Sequence, residues 1–398
     1  LASGNGAEEF WYTNVPTEYD DTFNDTEIYG YGPFREVQLL IDEALAGVSW
    51  PFPIVFTGGI SPGLWVPIVG IDTYDLPSFE IDISPWLGLL CDGNAHTFEL
   101  KVVGYESDTS LGTVGSNWWI TAAIFIWEDK AGNQTTGSVS GFFHLLPRLN
   151  IHAKIWESVQ SHTPFPTFDF TPSITTLDGA NTSLWVHLIA ERSLHYASTI
   201  TTSSGSRNMT WSQSLSYSNI QNFTAEGYNE TLSQLTTGIS IFSPVPEYLA
   251  PITNTFSYPI SFYQAYAVPK DAKSTNSTLI AELDRSLLST TIPILLYLTS
   301  PSTYHTPEIL ATRQNGSCIY FWNNTYYEFA GAIDPAMRTI GATEQWFSSV
   351  GPVAGGIVEA YGRHVKAVDG YKPALTLDET FGNTITVPET ESVGKDEL

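Results

Sequence analysis

Short runs in which apolar and polar residues alternate recur along this chain between clusters of turn-forming residues, and that period of two places it in the all-β class. Residues 37–41, 78–83, 96–103 and 118–127 predict strands, and Asp92-Gly93-Asn94 and Lys130-Ala131-Gly132-Asn133 predict turns between them. Residues 1–146 therefore predict one antiparallel sandwich or jelly roll. Residues 147–181 hold Pro147, Pro164, Pro166 and Pro172 with little periodicity and predict a linker that wraps a surface. Alternation resumes beyond it, at 185–195, 209–217 and 279–288, and predicts a second β domain over 182–376. Residues 377–398 form a polar tail. No fixed-period repeat of the solenoid or propeller kind is present.

Charge narrows the partners. The chain has 398 residues, long enough for two or three cores, and carries 42 acidic against 16 basic side chains, a formal charge of −26. Nucleic acid and an anionic membrane face would repel such a surface. A neutral partner such as a glycan or peptide suits it better, and protonation in an acidic compartment would relieve its self-repulsion. No apolar run approaches the roughly 20 residues of a membrane-spanning helix.

The compartment is legible in the sequons. Asn-x-Ser/Thr occurs at Asn24, Asn133, Asn181, Asn208, Asn222, Asn229, Asn276, Asn315 and Asn323, which predicts a glycosylated protein of the secretory pathway, secreted or held in a vacuolar, acidic compartment. The closing Lys395-Asp396-Glu397-Leu398 would signal retention in the endoplasmic reticulum if it is the natural C-terminus. Cys91 and Cys318 are the two thiols, and their number leaves open whether they pair or one stays buried and free.

Several chemistries lack their motifs. Gly59-Ile60-Ser61-Pro62-Gly63 matches the G-x-S-x-G pattern of serine hydrolases, but Pro62 and Pro67 deny it the helix that should follow the serine. The histidines are scattered without metal-binding spacing, so no metal is expected, and neither a P-loop nor a dinucleotide fingerprint occurs. What remains is a β scaffold rich in Trp, Tyr, Asp and Glu. The densest cluster is Glu8-Glu9-Phe10-Trp11-Tyr12, two carboxylates followed by three aromatics. Aromatic faces stack on sugar rings, and carboxylates orient hydroxyls or move protons. An ordinary strand with residues alternating in and out is the other reading of the same stretch.

The cluster and its continuation, Thr13-Asn14-Val15, resemble a known family, as do Tyr31-Gly32-Pro33-Phe34-Arg35-Glu36-Val37-Gln38, Ala44-Leu45-Ala46-Gly47-Val48 and residues 50–59. So do Trp65-Val66-Pro67-Ile68-Val69-Gly70-Ile71-Asp72 and Glu80-Ile81-Asp82-Ile83-Ser84. The family is the peptide-N-glycosidase A family of plants and fungi, which cut the amide between N-acetylglucosamine and asparagine. The likeness is dense over residues 7–103 and thinner to about residue 250. A looser likeness to the bacterial peptide-N-glycosidase F, two jelly rolls sharing a cleft, rests on strand order and a few residues.

The resemblance implies hydrolysis of the amide by an activated water, giving a glycosylamine and an aspartate with no cofactor. It makes Glu9 the carboxylate that holds the asparagine amide or protonates the leaving nitrogen, with Glu8 its neighbour, since strand alternation sends one of the pair into a cleft. Trp11, on Glu9's face, would stack on the core sugars. Arg35 would bind amide or sugar oxygens, with Glu36 beside it as a further candidate catalytic carboxylate, or the two would form a structural ion pair. Trp65 would border the cleft or lie in the core, and Asp72 and Asp75 would build a turn. The family's precursors carry a further N-terminal region with its own acidic cluster. By analogy that region would supply the principal catalytic aspartate, which implies a processed enzyme of two noncovalently held chains. A glycan-binding module without activity is the alternative from another class, and a glycoside hydrolase is a third.

Overall fold

The computed structural model describes residues 2–4, 11–13, 15–24, 26–55, 60–61, 64, 76, 78–107, 110–114, 118–126, 128, 131–137, 161–162, 167–170, 173–177, 181–244, 251–267, 276–293, 308–323, 338–353, 357–368 and 374–382. The N-terminal part contains β1 (Ala2–Gly4), β2 (Arg35–Ile41), β3 (Ala44–Ser49), β4 (Phe98–Ser107), β5 (Ser110–Thr113), β6 (Trp118–Ile120) and β7 (Thr136–Gly137). One four-residue helix, α1 (Leu87–Leu90), precedes β4. Then come β8 (Ser161–His162), β9 (Thr167–Phe170) and β10 (Ser173–Leu177), and the long strands β11 (Asn181–Thr202), β12 (Gly205–Thr224), β13 (Asn229–Pro244) and β14 (Ile252–Ala267). The chain continues through β15 (Asn276–Pro293), β16 (Glu308–Asn323), β17 (Arg338–Val353), β18 (Ile357–Val368) and β19 (Ala374–Gly382). The all-β expectation holds.

Strands β10 to β19 pair with their sequence neighbours in one antiparallel meander, with β7, β8 and β9 also laid against β11. A separate four-stranded sheet has the order β3-β2-β4-β5, and β1 pairs with β6. The pairings of a jelly roll are not among those described. Residues 161–177, read from their prolines as linker, contribute the three short strands β8, β9 and β10, all bonded to β11. Residues 78–83 alternate like a strand but lie outside every ladder. Their Ile81 and Ile83 pack against the core of the two sheets, so the alternation serves packing rather than pairing.

Strict alternation explains how strands of up to 22 residues stay in register. Leu184, Val186, Leu188, Ala190, Arg192, Leu194 and Tyr196 of β11 are buried, and the odd-numbered residues between them face outward. The β2–β3 turn takes positive φ at both Asp42 (47°) and Glu43 (69°), the geometry that matches the strand twist. At the β12–β13 turn Gly227 has φ of 81°, and a Cβ there would stand 2.7 Å from the Phe23 ring, so this tight approach needs glycine.

The N-terminal sheet rests on the inner face of the meander. Phe34, Ile41, Ala46, Val48 and Trp50 interleave with Leu188, Leu194, Tyr196, Trp211, Leu215 and Tyr217 in one core. Polar bonds fix the docking. Gln213 donates from Nε2 to the Val48 carbonyl at 2.7 Å and accepts the Val48 amide at 3.3 Å, so one side chain replaces a strand neighbour. The Tyr196 hydroxyl donates to the Leu45 carbonyl at 2.7 Å.

Candidate functional site

Three polar features lie along the inner face, where the N-terminal part meets the meander. The first surrounds the aromatic end of the Glu8–Tyr12 cluster. Tyr12 is buried among Val55, Leu64, Leu232, Ile260 and Leu283, edge-on to Phe262 at 6.4 Å. Its carbonyl accepts a bond from Asn219 Nδ2 at 3.1 Å, and the same amide reaches the Tyr217 hydroxyl at 2.9 Å. The Glu230 carboxyl lies in this polar layer, one oxygen accepting from Gln221 Nε2 and the other from Gln264 Nε2. Burial pushes its pKa up to about 7, against the downward pull of those two amide donors. Burial, then the nearby Glu230 carboxyl, pushes the Tyr12 hydroxyl well above its ordinary range, against a downward pull from Arg285. The arrangement therefore holds a carboxyl that stays protonated through mildly acidic pH.

The second feature is built from Arg35 and Glu36, which the sequence sets side by side but β2 sends apart. Arg35 donates to the carbonyls of Phe34 (2.7 Å) and Tyr31, two residues held at positive φ (74° and 64°). Its guanidinium thus steadies a strained bend, and the missing side chain of Gly104, whose Cβ would lie 2.9 Å from Nη1, makes the room. Glu36 is fully buried and accepts from Gln38 Nε2 at 2.8 Å and Trp50 Nε1 at 3.0 Å. Its ionic partner is Arg192 of β11, Nη2 to Oε1 at 3.4 Å, and both side chains are withdrawn from solvent. Such a pair locks the two sheets together through a bond whose loss strands a charge.

The third feature is a cavity of about 350 Å³ between Leu76, Ser78, Phe79 and Glu80 on one side and β12 to β18 on the other. Phe79, Phe256, Tyr258, Phe347 and Tyr361 give it apolar walls, while Glu80, Asn254, Glu308 and Arg363 supply acceptors and one guanidinium. Arg363 donates to Gln345 at 2.9 Å and stands over the Phe347 ring at 6.0 Å. Apolar ring faces beside directional polar groups match the two-sided surface of a pyranose.

Of the residues singled out in the sequence, Trp11 is buried against Trp118, ring centroids 5.7 Å apart. Glu8, Glu9, Trp65, Asp72 and Asp75 lie outside the described residues. The sequons at Asn24 and Asn133 are exposed in loops. Ser61 of the G-x-S-x-G match is buried, its Oγ accepting from the Cys318 thiol at 3.2 Å. Both thiols are free, Cys318 buried and Cys91 partly so. Among the described residues no three His, Cys, Asp or Glu side chains gather as a metal group. Of the cavity residues, Val48 and Glu80 fall inside quoted motifs and Phe79 inside a predicted strand, but none was singled out for function; Glu230, outside the cavity, sits inside the sequon at Asn229.

An N-terminal β-sheet seated on a long antiparallel meander, with an aromatic-walled cavity between them and the buried Glu230 carboxyl beside Tyr12, defines an all-β protein of packed antiparallel sheets. Comparison sharpens this. Residues 1–142 match the family model described as peptide N-acetyl-beta-D-glucosaminyl asparaginase amidase A, and residues 185–260 match the PNGase_A C-terminal domain. A curated protein of Prunus dulcis, peptide-N4-(N-acetyl-beta-glucosaminyl)asparagine amidase A, is 41% identical over 133 residues, which cover 33% of this chain and 22% of that protein. No solved structure matches. The chain belongs to the peptide-N-glycosidase A family.

Proposed function

We propose that this chain belongs to an N-glycan amidase, which hydrolyses the bond between N-acetylglucosamine and an asparagine side chain and releases the glycan as a glycosylamine, leaving aspartate. The observation that carries the reading is the 41% identity over 133 residues with an amidase of that name, beside the family-model match of residues 1–142, which hold the Glu8–Tyr12 cluster and the cavity-lining Glu80. Chemically, a carboxylate must guide water to the amide carbonyl and an acid must protonate the departing nitrogen. Glu9, with Glu8 beside it, is the proposed carboxylate, and the inner-face cavity is the proposed seat of a sugar ring of the glycan. Glu230 acts through Tyr12 as a positioning residue and is neutral at the acidic pH that the charge of −26 favours.

The finer parts of the proposal are three. The enzyme works in the secretory pathway or an acidic compartment; it is processed into two chains; and the second chain supplies the principal aspartate. Incubating the purified protein with a defined glycopeptide across pH 3 to 9 and weighing the products tests the activity. Loss of the whole glycan with asparagine converted to aspartate is expected, with an acidic optimum. A peptide that keeps one N-acetylglucosamine would mean a glycoside hydrolase, and an unchanged peptide that still binds would mean a lectin-like module. Intact mass of the native and the denatured protein tests for the second chain.

A further inference from the structure

The meander has two unlike faces. Even-numbered residues of β11 and odd-numbered residues of β12 point toward the N-terminal sheet, so the opposite set faces away from it. That far face is not purely polar: Trp185, Ile220, Leu235, Tyr263, Ile280 and Ile319 keep 37% to 44% of their surface exposed. By register Trp185, Ile220 and Leu235 lie diagonally across β11 to β13, and Tyr263, Ile280 and Ile319 across β14 to β16, two apolar groups open to a cover. The far face also bears every strand sequon whose asparagine side chain the structure describes, namely Asn208, Asn222, Asn229 and Asn315. The inward-facing Asn219 and Asn254 are followed two residues on by Gln221 and Phe256, and so are not acceptors.

Register puts the acceptors beside the apolar side chains. Trp185 is the direct cross-strand partner of Asn222, which places their Cβ atoms about 5 Å apart. Asn229 heads a row that crosses the sheet through Ala265, Ile280 and Ile319, with Ile280 about 10 Å away across two strand spacings.

We propose that the far face of the meander is sheathed by the protein's own N-linked glycans, the first N-acetylglucosamine at Asn222 lying on the Trp185 indole and the glycan at Asn229 lying over Ile280. Each Asn Nδ2 forms the bond to C1 of the sugar, the pyrophosphate of a polyprenyl-linked oligosaccharide donor leaves, and the amide gives up one proton. Donor and transferase are those that serve any chain in the secretory pathway. A pyranose lays its C–H face on the indole and keeps its hydroxyls in water, so apolar surface is covered without a protein partner. The two glycans lean in opposite directions, toward β11 and toward β15, which lets adjacent acceptors be filled together.

The test is independent of amidase activity. The full protein is made in a eukaryotic secretory host, its glycopeptides are mapped by mass spectrometry, and Trp185 is probed by hydroxyl-radical footprinting. Asn222 and Asn229 are expected to be occupied, and Asn222→Gln is expected to raise the Trp185 oxidation rate severalfold. Thr224→Ala, which removes the sequon and keeps Asn222, should do the same if the first variant folds poorly. Empty acceptors, conversion of Asn222 to aspartate, or a Trp185 that stays protected without the glycan would overturn the proposal, the last by showing that a protein segment covers the face.

Discussion

Replacing Glu230 by Gln should flatten the pH dependence of stability between mildly acidic and mildly alkaline solution. The carboxyl is buried with one amide donor on each oxygen, and its pKa of about 7 compares with 4.5 for the exposed group. Because the folded value is the higher one, the folded state holds the proton more tightly. Its stabilising contribution is complete below about pH 4.5 and is lost as the pH rises through 7. That gap, at roughly 1.4 kcal/mol per pH unit, corresponds to about 3 kcal/mol. Glutamine keeps the shape and the neutrality, provided the Gln264 amide turns to offer its oxygen. His96, raised by its bonds to Asp42 and Asp92, likewise loses a stabilising contribution as the pH rises over an overlapping range, so the difference between variant and wild type is the quantity to read. Denaturant titrations followed by tryptophan fluorescence at several values from pH 4 to 9 give it. Equal pH slopes for the two proteins would refute the reasoning, because they would mean that Glu230 ionises in the fold as it does in water.

Arg192→Ala should cost about 3–5 kcal/mol, since Glu36 is left buried without its ionic partner, and pairing it with Glu36→Gln should recover part of the loss in a double-mutant cycle. Gln213→Ala removes both bonds to Val48 and should destabilise by about 1–3 kcal/mol in a urea titration, with the sheet faces losing their register. If Glu9 serves the transition state, Glu9→Gln should lower turnover by about 10²-fold or more while the melting curve is unchanged; near-normal turnover would move the role to Glu8. Phe79→Ala should raise KM for glycopeptide severalfold and leave kcat nearly intact, because it strips one apolar wall from the cavity; an unaltered KM would place the glycan elsewhere.

The fold class was legible because a strand states its period in a short window. Residues 37–41 became β2, 185–195 became the middle of β11, and 209–217 and 279–288 became parts of β12 and β15. Their ends ran further than the pattern suggested, since outward positions on a wide sheet accept Ser and Thr as readily as apolar residues. Trp118–Ile120 is the strand within 118–127, and residues 121–126 after it lie outside the ladders described. The same local reading failed at 78–83, where alternation reported burial against a neighbouring sheet and not a ladder.

The family, too, was written in contiguous motifs, because runs such as Tyr31–Gln38 carry their specificity in order and spacing. What the sequence by itself determined was therefore everything that a stretch of neighbouring residues can express: strand periodicity, the turns, the sequons and the kinship. Only the tertiary structure decided that Glu36 pairs with Arg192 and not with the adjacent Arg35, that Gln213 closes the edge of Val48, and that Phe79 faces Tyr258 across a cavity. It also decided that Asn222 stands opposite Trp185. These partners are separated by tens to hundreds of residues, and a side chain's charge or hydrogen-bond need does not specify which distant group will meet it. Burial sets that choice, and burial is a property of the packed sheets together.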